Sequence, residues 1–460
     1  MANLFLRVAV VSFAFIFLQI PVSNSAVITV NTDDDVISGV DLQCSLREAI
    51  ISANTNPPGL ISPPGECALG DAGNDEIVFD PSIDELPLII LIPGAGEDNA
   101  LTGDLDIFED LTITGNGLNN TIVDGNFLDR VFHIIGASTT VMMTELSITQ
   151  GALGEAAGAG ISNGGILTLD TVDIFLNLVS GTTSSAVGGG ILNAGTLDMT
   201  DTTIDRNEAD RAGGIFNNEM VTISSSSIIG NKARAGGGLA NFEDVMITNS
   251  TFSGNEATNN GGAIANSQAG STIGVINILN STIAENTAPD GSGGGINNNS
   301  TLTLQNTIVA NNTGGDCSPK PITSDGNNLD SDGTCVLAIA SDISNTDPLL
   351  DNLSFNNGIT LSHALMPGSP AIDTGGNLGC PPLDQRGVLR PQDGLDDGFP
   401  ICDMGALEML ISELVNQTGS GAAGGGGCAL AQSSEKGTHF PLYLLIPAFI
   451  LLRRLRRKNS

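Results

Sequence analysis

The sequence predicts an all-β protein: a right-handed parallel β-helix with an N-terminal capping helix and a C-terminal, disulfide-stapled, loop-rich region. Three observations predict this fold. A Gly-rich step followed by an aliphatic residue occurs six times between Gly158 and Asn312, at intervals of 30, 24, 24, 25 and 32 residues. The segments between the steps are short and alternate apolar with polar residues, as strands do. No helical stretch interrupts them, so each repeat must stack as one coil on the next to bury its apolar side.

Asparagine marks two fixed positions in every repeat. The first lies two residues after the aliphatic residue of the Gly-rich step, and the second closes an apolar-x-x-Asn motif further on. Identical amides stacked coil on coil can hydrogen-bond along the axis, and Asn tolerates left-handed backbone at corners. We therefore predict two structural Asn ladders in preference to a catalytic row. The members are Asn163, Asn193, Asn217, Asn241, Asn266 and Asn298 in the first row, and Asn177, Asn207, Asn231, Asn255, Asn286 and Asn311 in the second.

The composition is strongly acidic. The 460-residue chain has 51 acidic and 16 basic residues, which gives a formal net charge of −35 at pH 7. Because a nucleic-acid backbone is bound through Lys and Arg, this balance argues against a nucleic-acid partner. The acidic excess suits solubility, or weak Ca²⁺ binding, at an outer surface. We expect no other cofactor.

Residues 1–26 have the pattern of a secretory signal peptide. Arg7 precedes the apolar core Val8–Ile20, and small residues follow as far as Ala26. The alternative is a membrane-spanning anchor, for which the apolar run is short. We therefore expect an exported protein.

Residues 27–79 form a predicted cap. Ser45, with Glu48 three residues later, has the pattern of a capping box that begins a short amphipathic helix. Such a helix would cover the open apolar end of the first coil. The run Asp33–Asp35 could bind Ca²⁺, but it lacks the spacing of a calcium loop, so a solvated loop is the expectation.

Residues 80–345 are assigned to the β-helix, with the clearest repeats at 158–312. Glu208, Lys232 and Glu256 are spaced 24 residues apart, as are Asp210 and Arg234. With one repeat per coil, these side chains stack as neighbours of alternating sign. The same residue types could serve as acid and base in sugar cleavage, but exposed cross-strand pairing explains the alternation without further assumptions.

Six of the seven cysteines fall into three local clusters, and an exported protein can keep disulfides. Six cysteines permit fifteen connectivities, among which clustering favours bridges between near neighbours. The favoured pairs are Cys44–Cys67, Cys317–Cys335 and Cys380–Cys402. The chain has no C-x-x-C motif and its histidines, His133, His363 and His439, are scattered, so no metal site is expected.

The remaining chain contains three segments: a loop-rich region at 346–408, a Gly-rich linker with a sorting motif at 409–439, and an apolar segment with a basic end at 440–460. Asp384 and Arg386 in the first could be catalytic, but a carboxylate–guanidinium pair more simply ties the loop to itself. Cys428 is the odd cysteine, and the resemblance of the tail to bacterial Gly-Gly C-terminal sorting signals implies that processing or attachment occurs there. The apolar segment contacts the membrane at least transiently, and an ordinary C-terminal anchor is the alternative.

Several stretches of the chain resemble four kinds of segment found in bacterial surface proteins. Cys44–Ile50 is similar to the motif of the CSLREA domain, and Phe252-Ser-Gly-Asn255 with Gly261-Gly-Ala-Ile264 resembles the polymorphic outer-membrane protein repeat. Leu365–Asp373 and Cys402–Ala406 resemble the choice-of-anchor Q domain, and the tail is similar to Gly-Gly C-terminal sorting signals. These resemblances imply a β-helix at the bacterial cell surface, at the outer membrane or outside the cell, and imply no known chemistry.

We therefore expect a secreted, cell-surface-attached β-helix protein that acts in adhesion or surface binding, without catalytic residues. Its ligand is expected to be a glycan, or a protein of a host or neighbouring cell. The alternative is a polysaccharide lyase or glycoside hydrolase, because β-helices host those enzymes; that argument rests on the fold alone.

Overall fold

The computed structural model describes residues 25–38, 40–55, 67–71, 73–83, 88–92, 94, 100–269, 272–320 and 322–412. Residues 1–24 of the predicted signal peptide lie outside these ranges, as do residues 413–460, which include most of the linker, Cys428, His439 and the basic C-terminus. Among the described residues, no helix is both long enough and apolar enough to span a membrane.

The chain folds into a parallel β-helix, as predicted. Within the described residues one sheet contains twenty strands, arranged as two parallel series that run side by side up the axis. These strands are β1 (Val27–Val30), β2 (Asp75–Phe79), β3 (Leu88–Leu91), β5 (Leu111–Thr114), β6 (Thr121–Asp124), β8 (Thr140–Thr149), β11 (Ile166–Phe175), β14 (Thr196–Thr200), β15 (Thr203–Asp205), β17 (Met220–Ser224), β18 (Ser227–Ile229), β21 (Asp244–Thr248), β22 (Thr251–Ser253), β27 (Val275–Leu279), β28 (Thr282–Ala284), β30 (Thr301–Gln305), β31 (Ile308–Ala310), β33 (Thr323–Ser324), β34 (Leu329–Asp330) and β35 (Ile343–Ser344).

A second sheet closes each coil on the opposite side with one short strand. Its nine strands in the described chain are β4 (Leu105–Ile107), β7 (Phe132–Ile134), β10 (Ile161–Asn163), β13 (Ile191–Asn193), β16 (Ile215–Asn217), β20 (Leu239–Asn241), β24 (Ile264–Asn266), β29 (Ile296–Asn298) and β32 (Cys317–Pro319). Three two-stranded sheets complete the described elements: β9 (Ala152–Leu153) with β12 (Leu178–Val179), β19 (Lys232–Ala235) with β23 (Glu256–Asn260), and β25 (Gln268–Ala269) with β26 (Thr272–Ile273).

Alternation along each strand decides which side chains form the core. In β14, Leu197 and Met199 are buried between the sheets, whereas Asp198 and Thr200 point outward. Register carries this pattern from coil to coil, since Leu197 pairs with Val221 in the next strand of the series. The result is one continuous apolar core along the axis.

The N-terminal cap contains the predicted helix, α1 (Leu46–Asn54). Ser45 and Glu48 form the predicted capping box, and Leu46, Ala49 and Ile50 are buried against the first coils. The strand β1 of this segment pairs in parallel with β2, so it belongs to the main sheet.

One expectation about the cap was wrong. Asp35 is not in a solvated loop: its carboxylate is buried and accepts two hydrogen bonds from Arg47, at 2.7 Å from Nη2 and 3.0 Å from Nε. The remaining donors of Arg47 reach backbone carbonyls, including those of Ala100 and Gly103. Burial raises the pKa of Asp35 despite the charge of Arg47. This fully bonded arginine joins the cap to the second coil, because its donors must be satisfied where water is excluded.

Both Asn ladders form. In the first row, Nδ2 of each amide donates to Oδ1 of the next at 2.7–3.0 Å, from Asn163 to Asn298. In the second row the corresponding distances are 2.9–3.1 Å, beginning at Asn177. In the second row the acceptor also receives the backbone N–H of the preceding Asn. All these amides are buried, which favours a structural role.

The last member of the second ladder is Asn312, and the assignment of Asn311 to it was wrong. Ile283 pairs with Val309 and not with Ile308, so the register moves by one residue in this coil. Asn312 Oδ1 therefore accepts from Nδ2 of Asn286 at 3.0 Å. Asn311 is exposed, with a φ of 58° at the corner just before the ladder position.

A third ladder, made of hydroxyl groups, was not found in the sequence. At the corner between the two series of the main sheet, the hydroxyl of each coil accepts the backbone N–H of the preceding one at 3.1–3.2 Å. Its members are Thr202, Ser226, Ser250 and Ser281. Ser and Thr are too common for this spacing to have been informative without the structure.

The C-terminal region folds back along the β-helix. It packs on the outward side of the second strand series, where Leu365, Ile372 and Met404 meet residues of β31 and β34. Hydrogen bonds join positions 134 residues apart, such as Asn249 Nδ2 to the carbonyl of Leu383 at 2.7 Å. The second series is therefore covered along part of its length.

The three predicted disulfides are present: Cys44–Cys67, Cys317–Cys335 and Cys380–Cys402. The sequence separations of 23, 18 and 22 residues show that each closes a local loop. One bridge lies in the cap, and the other two lie at the exit of the β-helix and in the region folded back on it.

The register correction predicts different costs for two adjacent substitutions. Asn312→Ala removes the acceptor of two buried donors of Asn286, so it should lower the free energy of unfolding by about 2–4 kcal/mol. Asn311→Gly should change it by no more than about 0.5 kcal/mol, because the side chain is exposed and Gly accepts the left-handed backbone. Urea unfolding of both variants measures the difference; an equal or reversed effect would contradict the register.

Candidate functional site

The outward side of the first strand series is the most regular exposed surface of the described chain. We call it the open face and define it by two rows that stack in register through β5, β8, β11, β14, β17, β21, β27 and β30. The first row is Thr112, Met142, Thr168, Asp198, Thr222, Met246, Asn277 and Thr303. The second row is Thr114, Thr144, Asp170, Thr200, Ser224, Thr248, Leu279 and Gln305.

The two rows of the open face are nearly uncharged, although Asp244 is exposed on the same side of β21 and Glu76 of β2 pairs with Thr112 at the start of the first row. Asp170 and Asp198 are the only ionisable members of the two rows, and most other members are hydroxyls. Met142 and Met246 are 37% and 46% exposed, so the face also presents flexible apolar side chains. Neighbouring members of one row, which lie on adjacent coils, are about 4.8 Å apart, the usual distance between paired strands. The face therefore repeats one hydrogen-bonding pattern along the axis.

The predicted alternating charge row is present. Glu208 pairs with Lys232, and Lys232 with Glu256, as neighbours in successive coils. Lys232 Nζ lies 3.0 Å from Oε2 of Glu256, and both side chains are exposed. The hydrogen bond and charge of Glu256 raise the pKa of Lys232. Since a raised pKa keeps the ammonium protonated, Lys232 is poorly suited to act as a general base.

Asp210 and Arg234 form the second predicted pair. Nη2 of Arg234 lies 3.0 Å from Oδ2 of Asp210, at a side chain that is half exposed. A neighbouring guanidinium, that of Arg211, lies over the rings of Phe216 and Phe242 at 5.1 and 4.8 Å from their centroids. Burial lowers the pKa of Arg211, but an arginine stays protonated at any physiological pH.

Asp384 and Arg386 tie their own loop, as the simpler interpretation predicts. Oδ2 of Asp384 receives Nε of Arg386 at 3.0 Å and the backbone N–H of Glu408 at 3.0 Å. The residue between them, Gln385, reaches the β-helix, where its side-chain oxygen accepts from Thr251 at 2.6 Å. These contacts attach the folded-back region to the second strand series.

His133 is not isolated, contrary to its appearance in the sequence. Its Nδ1 lies 3.1 Å from Oδ1 of Asp106 and 4.0 Å from Oδ2 of Asp104. Nη1 of Arg130 lies 2.8 Å from the same oxygen of Asp104. Burial acts to raise the pKa of Asp106, but hydrogen bonds from His133 and Ala100 outweigh it and lower that pKa. A cation here would compete with an arginine already in place, so we interpret this group as a structural charge network.

Three carboxylates meet where the β-helix ends. Asp316, Asp330 and Asp332 can each present an oxygen within 4.8 Å of the others. Burial, with a contribution from Asp332, raises the pKa of Asp316 to about 6. The only sequence signal is the spacing Asp330-Ser-Asp332-Gly333, a fragment too short to indicate a metal site. Asp316 joins the group through folding alone.

A second acidic group is buried in the folded-back region. Arg390 donates to Glu408, and Oε1 of Glu408 also accepts the backbone N–H of Asp403 at 2.9 Å. Asp403 accepts the backbone N–H groups of Asp373 and Met409, each at 2.6 Å. Burial and the neighbouring charge of Glu408 raise the pKa of Asp403 to about 8. Nη1 of Arg390 also donates to the backbone carbonyl of Asp403 at 3.2 Å, so the guanidinium contacts Asp403 through its backbone and Glu408 through its carboxylate.

Comparisons with known proteins identify no family for this chain. No family model matches the sequence, and no curated protein does, so the likenesses to named bacterial domains remain likenesses of motifs. A solved structure of the pectate lyase Pel9A is similar over 85% of this chain and 98% of its own, with 13% identity and a TM-score of 0.41. A sequence identity and a TM-score this low support no conclusion about the chemistry of this chain.

The shifted pKa of Asp403 predicts a pH dependence of stability. Between about pH 4, the ordinary pKa of an unfolded aspartate, and about pH 8, the folded state retains a proton that the unfolded state has released. This contribution to the free energy of unfolding is therefore fully present at and below about pH 4 and falls as the pH rises to about 8. Asp403→Asn should flatten the dependence, as measured by urea unfolding at pH 5 and 8. Equal slopes in the variant and the parent protein would show that Asp403 is ionised throughout.

Proposed function

We propose that this protein is an exported, non-catalytic surface protein that binds a neutral glycan along the open face. The observation that carries the proposal is the pair of in-register rows, with two charges among sixteen side chains, on a chain of net charge −35. Export is supported by the three disulfides, which are typical of proteins in oxidising compartments. Attachment through the tail and Cys428 belongs to the same proposal.

A neutral polymer fits the chemistry of the open face. Hydroxyl and amide side chains can donate to and accept from sugar hydroxyls, and Met142 and Met246 can pack against the apolar faces of sugar rings. Each coil presents similar groups at the same place, so an extended chain meets them repeatedly and weak contacts add. An acidic polymer would instead be repelled by the protein's own charge.

The charged residues support binding over polysaccharide cleavage. A lyase or hydrolase needs an acid and a base that converge on one substrate bond. The candidates Lys232, Arg234 and Arg386 are each paired with a carboxylate at 3.0 Å, and the first two stand on strands or turns that lie outside the open face. This pairing accounts for their presence without a reaction.

The proposal is tested by substitution on the open face. Purified protein is applied to an array of neutral and acidic glycans, and the dissociation constant for any neutral glycan retained is measured by calorimetry. Thr222→Glu with Met246→Glu adds two charges to the first row and should weaken binding at least about tenfold, the effect of losing about 1.4 kcal/mol.

The matched control is Thr258→Glu, on the exposed part of β23 outside the open face. It should bind as the parent protein does. Equal loss in both variants, or retention of acidic glycans alone, would contradict the proposal. Release of unsaturated uronates from an acidic polysaccharide would establish the lyase alternative instead.

A further inference from the structure

Asp316, Asp330 and Asp332 bring three carboxylates together at the end of the β-helix. Asp316 takes the place of the next amide in the second ladder: its Oδ1 accepts from Nδ2 of Asn312 at 2.9 Å. Its Oδ2 accepts from the backbone and the hydroxyl of Ser331 at 2.8 and 2.7 Å. These bonds fix the carboxylate of Asp316 beside the loop that carries Asp330 and Asp332.

That loop directs the two other carboxylates to the same point. Oδ1 of Asp330 accepts the backbone N–H of Asp332 at 3.1 Å, and Oδ2 of Asp332 accepts the backbone N–H of Asp316 at 3.0 Å. The disulfide Cys317–Cys335 closes the loop around them. All three ligand atoms can thus lie within 4.8 Å of one another without further movement of the backbone.

One oxygen of the group lacks any partner. Asp330 is fully buried, and its Oδ2 accepts no hydrogen bond in the described structure, although the hydroxyl of Ser344 in the paired strand β35 lies near this carboxylate. No salt bridge in the described part of the chain involves Asp316, Asp330 or Asp332, and each of the three presents an oxygen within 4.8 Å of the others. A buried carboxylate oxygen without a donor is costly unless a cation or a proton satisfies it.

We propose that Asp316, Asp330 and Asp332 bind one Ca²⁺ ion at the exit of the β-helix. Carboxylate oxygens are the ligands that this hard cation prefers, and its flexible coordination tolerates a site assembled from a strand end and a loop. Asp332 is exposed, so the ion can enter from solvent and complete its shell with water. The ion would join the final amide of the ladder to the disulfide loop and so stabilise the end of the solenoid.

Titration calorimetry of the purified protein with CaCl₂ tests the proposal. We expect one site with a dissociation constant of about 10⁻⁴–10⁻³ M, the range of extracellular calcium modules, and a melting temperature that rises saturably with Ca²⁺. Asp332→Asn, at the exposed ligand, should weaken binding at least tenfold. Asp325→Asn is the matched control, since this exposed aspartate lies in the same disulfide loop outside the group, and it should bind as the parent does.

A second measurement remains informative if the variant is unstable. Crystals of the parent protein grown with CaCl₂ should show anomalous density beside Oδ2 of Asp330. Absence of a calorimetric site and of that density would mean that Oδ2 carries a proton instead, and would overturn the proposal. Equal affinity of the parent and Asp332→Asn, or density only elsewhere, would overturn it as well.

Discussion

Hydrogen bonds between identical buried amides in successive coils are the constraint on which the rest of this structure depends. Each ladder Asn is buried, and its donors and acceptors can be satisfied only if the next coil places its own Asn directly above. A slip of one residue would leave several polar groups unpaired, each at a cost of about 1–3 kcal/mol. The ladders therefore fix the register, and through it the alternation that sends one set of side chains to the core and the other to the surface.

This register gives the two strand series different surroundings. The outward side of the second series is covered by the folded-back region, through contacts such as those of Gln385 and Leu365. The outward side of the first series keeps its regular rows of hydroxyl and thioether side chains partly or fully exposed, although Gln305 at the end of the second row donates to the carbonyl of Leu378 at 2.9 Å. Because one strand series is covered and the other is open, a long ligand can lie along the axis on the open face. This is the physical basis for the proposed function.

Local spacing was enough to predict a large part of the fold. The capping box at Ser45, the stacking of Lys232 between two glutamates, and the near-neighbour disulfides all follow from residues close in sequence or separated by one period. Asn311 and Asn312 show the limit of that reasoning, because two adjacent asparagines fit the motif and only strand pairing decides between them. The remaining features of the fold and of the site depend on contacts between residues that the repeat spacing does not relate. Nothing in the sequence brings His133 to Asp106, Asp316 to Asp330, or Gln385 to Thr251 in the strand 134 residues earlier.

The most direct test of the account is hydrogen exchange at the ladder itself. Asn231 Oδ1 accepts the backbone N–H of Asn207 at 3.0 Å, so Asn231→Ala should expose that amide and loosen the two coils that meet there. We predict that peptides containing Asn207 exchange at least about tenfold faster in this variant, whereas the exposed Asn218→Ala leaves them unchanged. Equal exchange in both variants would contradict the claim that the amide ladders hold the coils in register.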